Sequence, residues 1–97
     1  MNSNKDEDMK QKKGFVLREV CGEKVIIAEG LETVDFGKLI SLNESAAFLW
    51  KKAGEMGNFS TEKLAAALCE EYDVTPEQAE KDVVKMVAEW LRIGIVE

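Results

Sequence analysis

The stretch Lys38-Leu39-Ile40-Ser41-Leu42-Asn43-Glu44-Ser45-Ala46-Ala47-Phe48-Leu49-Trp50 changes character in its middle. Lys38 to Leu42 reads as a short strand that stops at Asn43. Beyond it, Ala46, Leu49, Trp50 and Ala53 recur at the spacing of one buried helix face. Asn43 is a good N-cap, because its side-chain oxygen can accept an otherwise unpaired N–H of the first helical turn. The junction divides the chain into a β half before it and an α half after it.

Working back toward the N-terminus, Phe15–Val20 and Lys24–Ala28 are short β-branched runs separated by Cys21-Gly22-Glu23. Two such runs around a short Gly-containing loop predict a hairpin. Residues 29–37, bounded by Gly30 and Gly37, form a longer connection to the third strand. Three strands alone must lay one face on another element to be stable. Residues 1–13 carry only Met1 and Met9 as apolar side chains and are expected to be a flexible tail, with the folded domain spanning 14–97.

Working forward, Gly54 and Gly57-Asn58 end the first helix, and Ser60 caps a second with Leu64, Ala65, Leu68 and Tyr72 on one side. Thr75-Pro76-Glu77-Gln78 then combines a Thr N-cap, Pro at the first helical position and Gln at the third, the pattern of a capping box. The third helix is predicted to run to about Arg92, with Gly94 as its cap and Ile95-Val96 folding back on the last turn. The order β-β-β-α-α-α predicts an α+β domain, a three-stranded antiparallel sheet followed by three helices.

The composition narrows the function. The chain has 97 residues, enough for one domain, with 45% hydrophobic and 33% charged residues. No apolar run approaches the roughly 18–20 residues of a bilayer span, and the polar start lacks the apolar core of a secretory signal, so a cytoplasmic location is expected. There is no His, which removes His-based acid/base chemistry, Ser-His and Cys-His nucleophile pairs and His metal ligands. Cys21 and Cys69 alone cannot build a metal site. The acidic residues Glu70, Glu71, Asp73, Asp82 and Glu89 read as solvated faces. A non-enzyme with no cofactor is expected. The net charge of −6 falls on the part beyond residue 13, since the first 13 residues hold four Lys against three acidic groups. Such a body repels nucleic acid and anionic membranes.

Two surfaces stand out. The edge of the Leu39–Leu42 strand carries no Pro and only Lys38 as a guard, so an extended peptide could pair with it as a fourth strand. On a helical wheel with Ala79 at zero, Met86, Trp90, Val83 and Val87 span about −20° to +80°, while Val84, Leu91 and Ala88 extend to about 120–180°, wider than one packing face needs. These three residues are expected to form the other wall of a groove or to be covered by another element.

The segment Leu42-Asn43-Glu44-Ser45-Ala46-Ala47-Phe48-Leu49-Trp50, the later Ser60-Thr61-Glu62-Lys63-Leu64 and Leu68-Cys69-Glu70-Glu71-Tyr72, then Asp82-Val83 and Leu91-Arg92-Ile93-Gly94-Ile95, together resemble the PqqD family, named for coenzyme PQQ (pyrroloquinoline quinone) synthesis protein D. The resemblance covers about residues 15–97. It implies a winged-helix-like fold that recognises the leader of a ribosomally made precursor peptide and presents it to a modifying enzyme, in the name-giving pathway a radical S-adenosylmethionine enzyme. It further implies that the leader adds beside the third strand and packs on the third helix. On this sequence the strand side is Lys38, Leu39, Ile40, Ser41 and Leu42; Val84, Ala88 and Leu91 come from the wheel. The Pro-Glu-Arg step of PQQ-dedicated members is absent from residues 29–37, so PQQ or a related peptide pathway is implied. Two other readings compete. One is a winged-helix nucleic-acid module, which the acidic balance disfavours. The other is a structural homodimer joined through the strand edge or the apolar wing.

Overall fold

A computed structural model of the chain describes residues 8–28 and 40–97. Eight elements follow in order: β1 (Met9–Lys10), β2 (Phe15–Val20), β3 (Glu23–Ala28), β4 (Ile40–Leu42), α1 (Glu44–Met56), β5 (Asn58–Phe59), α2 (Thr61–Glu71) and α3 (Pro76–Ile93). The expected sheet is β2-β3-β4, antiparallel throughout, and the three helices follow it. The expected third strand is observed as β4, while Lys38 and Leu39 lie outside the described residues, as does the 29–37 connection.

The hairpin closes more tightly than a three-residue loop. Cys21 (φ 53°) and Gly22 (φ 81°) form a two-residue turn, and both take the left-handed conformation that matches the twist of the flanking strands. Leu17, Ile26 and Ile40 stand opposite one another across the sheet, and Ile26 is fully buried between its neighbours. Around this face gather Leu49, Trp50 and Ala53 of α1, Leu64 and Leu68 of α2, and Ala79, Val83, Val87 and Trp90 of α3. Trp50 and Trp90 meet edge to face with centroids 5.1 Å apart, locking α1 to α3.

The helix ends follow the local sequence. Asn43, Ser60 and Thr75 each accept a backbone N–H from the third residue beyond, at 2.8, 3.2 and 3.1 Å. The reciprocal half of the capping box does not form at α3. Gln78 sends its Nε2 forward to Asp82 at 2.9 Å instead of back to Thr75. Gly94 adopts φ 86° and closes α3, and Ile95 and Val96 are buried behind it.

The N-terminal expectation needs correcting over Met9 to Lys12. β1 pairs antiparallel with β5 through Met9–Phe59 and Lys10–Asn58. Lys10 also exchanges both backbone hydrogen bonds with Glu97, at 2.9 and 2.8 Å, and the Lys12 N–H donates to Ile95. Gln11 completes the attachment by donating Nε2 to the Trp50 carbonyl at 2.6 Å. Side-chain burial alone could not order this segment. Backbone pairing to two partners, with Met9 packed on the core, supplies what its composition lacks.

Candidate functional site

The register of the sheet fixes which backbone groups of β4 are free. A two-residue turn makes Val20 and Glu23 a hydrogen-bonded pair, and hydrogen-bonded and non-hydrogen-bonded pairs then alternate along the strands. Arg18–Val25 and Val16–Ile27 are therefore hydrogen-bonded pairs as well, so Lys24 and Ile26 turn their N–H and C=O groups toward β4. Their partners there are Leu42 and Ile40. Ser41, opposite Val25, aims its own N–H and C=O the other way, out of the sheet. Among the described residues nothing pairs with that edge. The side chains alternate in the same sense: Ile40 and Leu42 are half-buried, and Ser41 is exposed.

Between this edge and α3 lies a groove of about 740 Å³. Its first wall is Ile40, Ser41 and Leu42, continued by Asn43 and Ser45 at the start of α1. Asn43 is both the last residue before α1 and its cap, and its Oδ1 also accepts from the Ser45 hydroxyl at 3.1 Å. A single residue thus joins the strand to the helix and sets their angle. Ala46, Leu49, Leu68 and Trp90 form the floor, and Asp82, Lys85, Met86, Glu89 and Ile93 of α3 form the far lip. The interior is apolar, and its charges sit on that lip. Arg92 donates through Nε and Nη2 to the two carboxylate oxygens of Glu89 and holds that carboxyl below its ordinary range, so Glu89 stays anionic and already partnered.

Of the expected strand side, Ile40, Ser41 and Leu42 line this groove. The expected helix side lies elsewhere on α3. Val84, Ala88 and Leu91 do not line the groove; they stand exposed on α3, Val84 at 48% and Leu91 at 47%. On the same wheel the residues facing β4 run from about −20° for Met86 through Ile93 and Glu89 to about −120° for Lys85, the flank opposite the wing. Met86 sits at the margin of the core stripe. That marginal position is the one signal in the sequence that marks this flank.

Cys21 is exposed, Cys69 is half-buried, and both are free thiols. Among the described residues no cluster of Cys, Asp and Glu could hold a metal, and no helix is long and apolar enough to cross a membrane. The exposed surface of α3 interleaves Lys81, Lys85 and Arg92 with Glu77, Glu80, Asp82 and Glu89, which offers phosphate no continuous basic surface.

The family model for coenzyme PQQ synthesis protein D (PqqD) matches residues 22–96. The chain belongs to the PqqD family. Among solved structures, this PqqD-family chain is similar to TbiB1 in complex with the TbiA(beta) leader peptide, with a TM-score of 0.71, 19% identity, and coverage of 91% of this chain and 94% of that one. A lasso peptide synthetase B1 complexed with its leader peptide matches with a TM-score of 0.70 and 19% identity, over 92% and 96% of the two chains. The PqqD part of PqqCD from Methylobacterium extorquens, described as a stand-alone recognition element for ribosomally synthesized and post-translationally modified peptides, matches with a TM-score of 0.70, 21% identity, and coverage of 93% and 88%. No curated protein matches the sequence.

Proposed function

We propose that this PqqD-family chain is a non-catalytic cytoplasmic adaptor. It captures the leader of a ribosomally made precursor peptide as a strand on β4 and presents it to a modifying enzyme of the radical S-adenosylmethionine type, in PQQ synthesis or a related peptide pathway. The observation that carries this reading is the outward-facing Ser41 backbone directly above an apolar groove. The leader peptides in the complexes of TbiB1 and the lasso synthetase B1 support it.

Strand addition works here through two unequal contributions. A peptide residue opposite Ser41 exchanges two main-chain hydrogen bonds, each contributing about 1 kcal/mol net. Its two neighbours stand opposite Ile40 and Leu42, so their side chains point into the groove. Each apolar side chain buried there contributes about 1.5–3 kcal/mol. The groove therefore outweighs the edge in affinity, while the edge sets the register. Ordering a free peptide costs about 2–5 kcal/mol, which makes full occupation of the groove a condition for useful binding.

The test is amide exchange at single-residue resolution on the full chain, titrated with overlapping synthetic peptides that tile the short open reading frames beside its gene. Ile40 and Leu42 amides are already bonded to β3, so a captured leader should newly protect Ser41 and shift the emission of Trp90 on the groove floor. A saturating peptide that leaves Ser41 exchanging at its free rate would overturn strand addition. Binding by none of the tiled peptides would overturn the leader-capture reading.

A further inference from the structure

The N-terminal segment that closes the fold also reaches the groove floor, and by two routes. Gln11 donates its Nε2 to the Trp50 carbonyl at 2.6 Å, and Trp50 meets Trp90 edge to face. The Lys12 N–H donates to the Ile95 carbonyl at 3.0 Å, and the Ile95 N–H donates to the Trp90 carbonyl at 3.1 Å. Both routes end on Trp90, which lines the groove, whereas Gln11, Lys12, Trp50 and Ile95 do not. The last turn of α1 leaves room for the first route. A Cβ at Gly54 would stand 3.2 Å from Gln11 Oε1, so the missing side chain lets the Gln11 amide lie against the helix.

Backbone bonds do most of the holding. Lys10 exchanges two with Glu97 and Lys12 makes one to Ile95, while Met9 is the apolar side chain of the segment that packs on the core. A segment with so little buried apolar surface opens locally at far less cost than the domain unfolds. Met9–Lys12 is thus a clasp with two states, closed and open.

Resting on the adaptor reading above, we infer that Gln11 is a positioning residue for the groove, acting through the Trp50–Trp90 pair, and that a closed clasp and an occupied groove favour each other. Opening the clasp frees the Trp50 and Ile95 carbonyls from their N-terminal donors, which loosens both neighbours of Trp90. A peptide whose side chains pack on Trp90 gains a fixed floor when the clasp is closed, and therefore selects that state. By linkage, the groove must then hold the clasp as the clasp holds the groove.

The test uses the full chain and, as probe, a 12-residue peptide selected on it from a phage-displayed random library and found to protect the Ser41 amide. In the saturated native chain, the amides of Lys10, Lys12 and Glu97, which lie outside the groove, should exchange more slowly than in the free chain. A ligand that only stabilises the fold does not slow exchange through local opening, so this readout separates coupling from structural support. Gln11→Met keeps a long unbranched side chain and removes the donor. It should speed exchange at the same amides and weaken the peptide about two- to tenfold, the range that one net hydrogen bond corresponds to. The slowing in the native chain should be at least as large as that loss. Clasp amides that exchange at their free rate while Ser41 is protected would overturn the coupling and leave the adaptor reading standing. A Gln11→Met chain that binds as tightly as the parent, or whose clasp stays as closed as the parent's, would likewise remove Gln11 from this role. Failure to select any peptide that protects Ser41 would overturn the adaptor reading, and the coupling with it.

Discussion

The two flanks of α3 are built from similar residues and do opposite things. One flank carries Val84, Ala88 and Leu91 and stands in solvent; the other carries Met86 and Ile93, half-buried, and forms one side of a cleft. Hydrophobicity does not distinguish them. What differs is the second wall: β4 and the start of α1 stand across from Met86 and Ile93, and among the described residues they line no such groove with Val84 or Leu91. A recognition groove is a property of two elements and their joint, here Asn43, and an apolar arc on one helix is half of a groove at most. Exposed apolar side chains are common on stable proteins and do not mark a site alone.

The sharpest way to break the comparison is to remove the residue that belongs to both core and groove. Trp90 is 2% exposed, meets Trp50 edge to face, and forms part of the groove floor. Trp90→Ala is expected to cost about 3–5 kcal/mol of stability, measured by urea unfolding, and to abolish peptide capture as a consequence. A variant that stayed as stable as the parent would mean that α1 and α3 are held together elsewhere.

Next in size is Ile40→Asp, on the β4 wall of the groove. Ile40 is only half-buried at a sheet edge, so the fold should survive with unchanged circular dichroism. A carboxylate in the groove mouth removes one apolar anchor site and leaves an unpaired charge against the bound peptide. Peptide affinity is expected to fall by about 2–3 kcal/mol, or roughly 30- to 150-fold, in a titration followed by Trp emission. Undiminished affinity would place the binding surface away from β4.

How legible all this was depended on how local each signal is. Asn43, Ser60, Thr75 and Gly94 mark helix ends because a cap is a contact within a few residues of itself, and each is found where the sequence places it. The hairpin is readable for the same reason. β1 and β5 are two residues each, too short to show a period; they pair with each other across some fifty residues, and β1 is also held by Glu97, with Lys12 bonded to Ile95. Composition at Met9 to Lys12 speaks only of side chains, whereas the backbone does the pairing. The wheel for α3 is limited in a related way. It measures the width of the apolar arc correctly, and it carries no information on which side of the arc meets β4, because that is decided by how α1 and α2 orient the helix.

The smallest expected effect is the most discriminating. Val84→Glu and Leu91→Glu place acidic side chains on the wing where the wheel alone would put the peptide. Both positions are nearly half exposed, so neither substitution opens a cavity or buries a charge, and stability should move by no more than about 0.5 kcal/mol. Peptide affinity should stay within about twofold of the parent, because the side chains point away from the lip that carries Lys85, Met86 and Ile93. The long-range field changes by one charge in either case, the same change that an acidic substitution makes anywhere on the surface, and moderate salt suppresses it. If Val84→Glu instead removed binding while the chain stayed folded, the exposed wing would be the peptide surface, and the β4 groove would have to be reassigned despite its open edge.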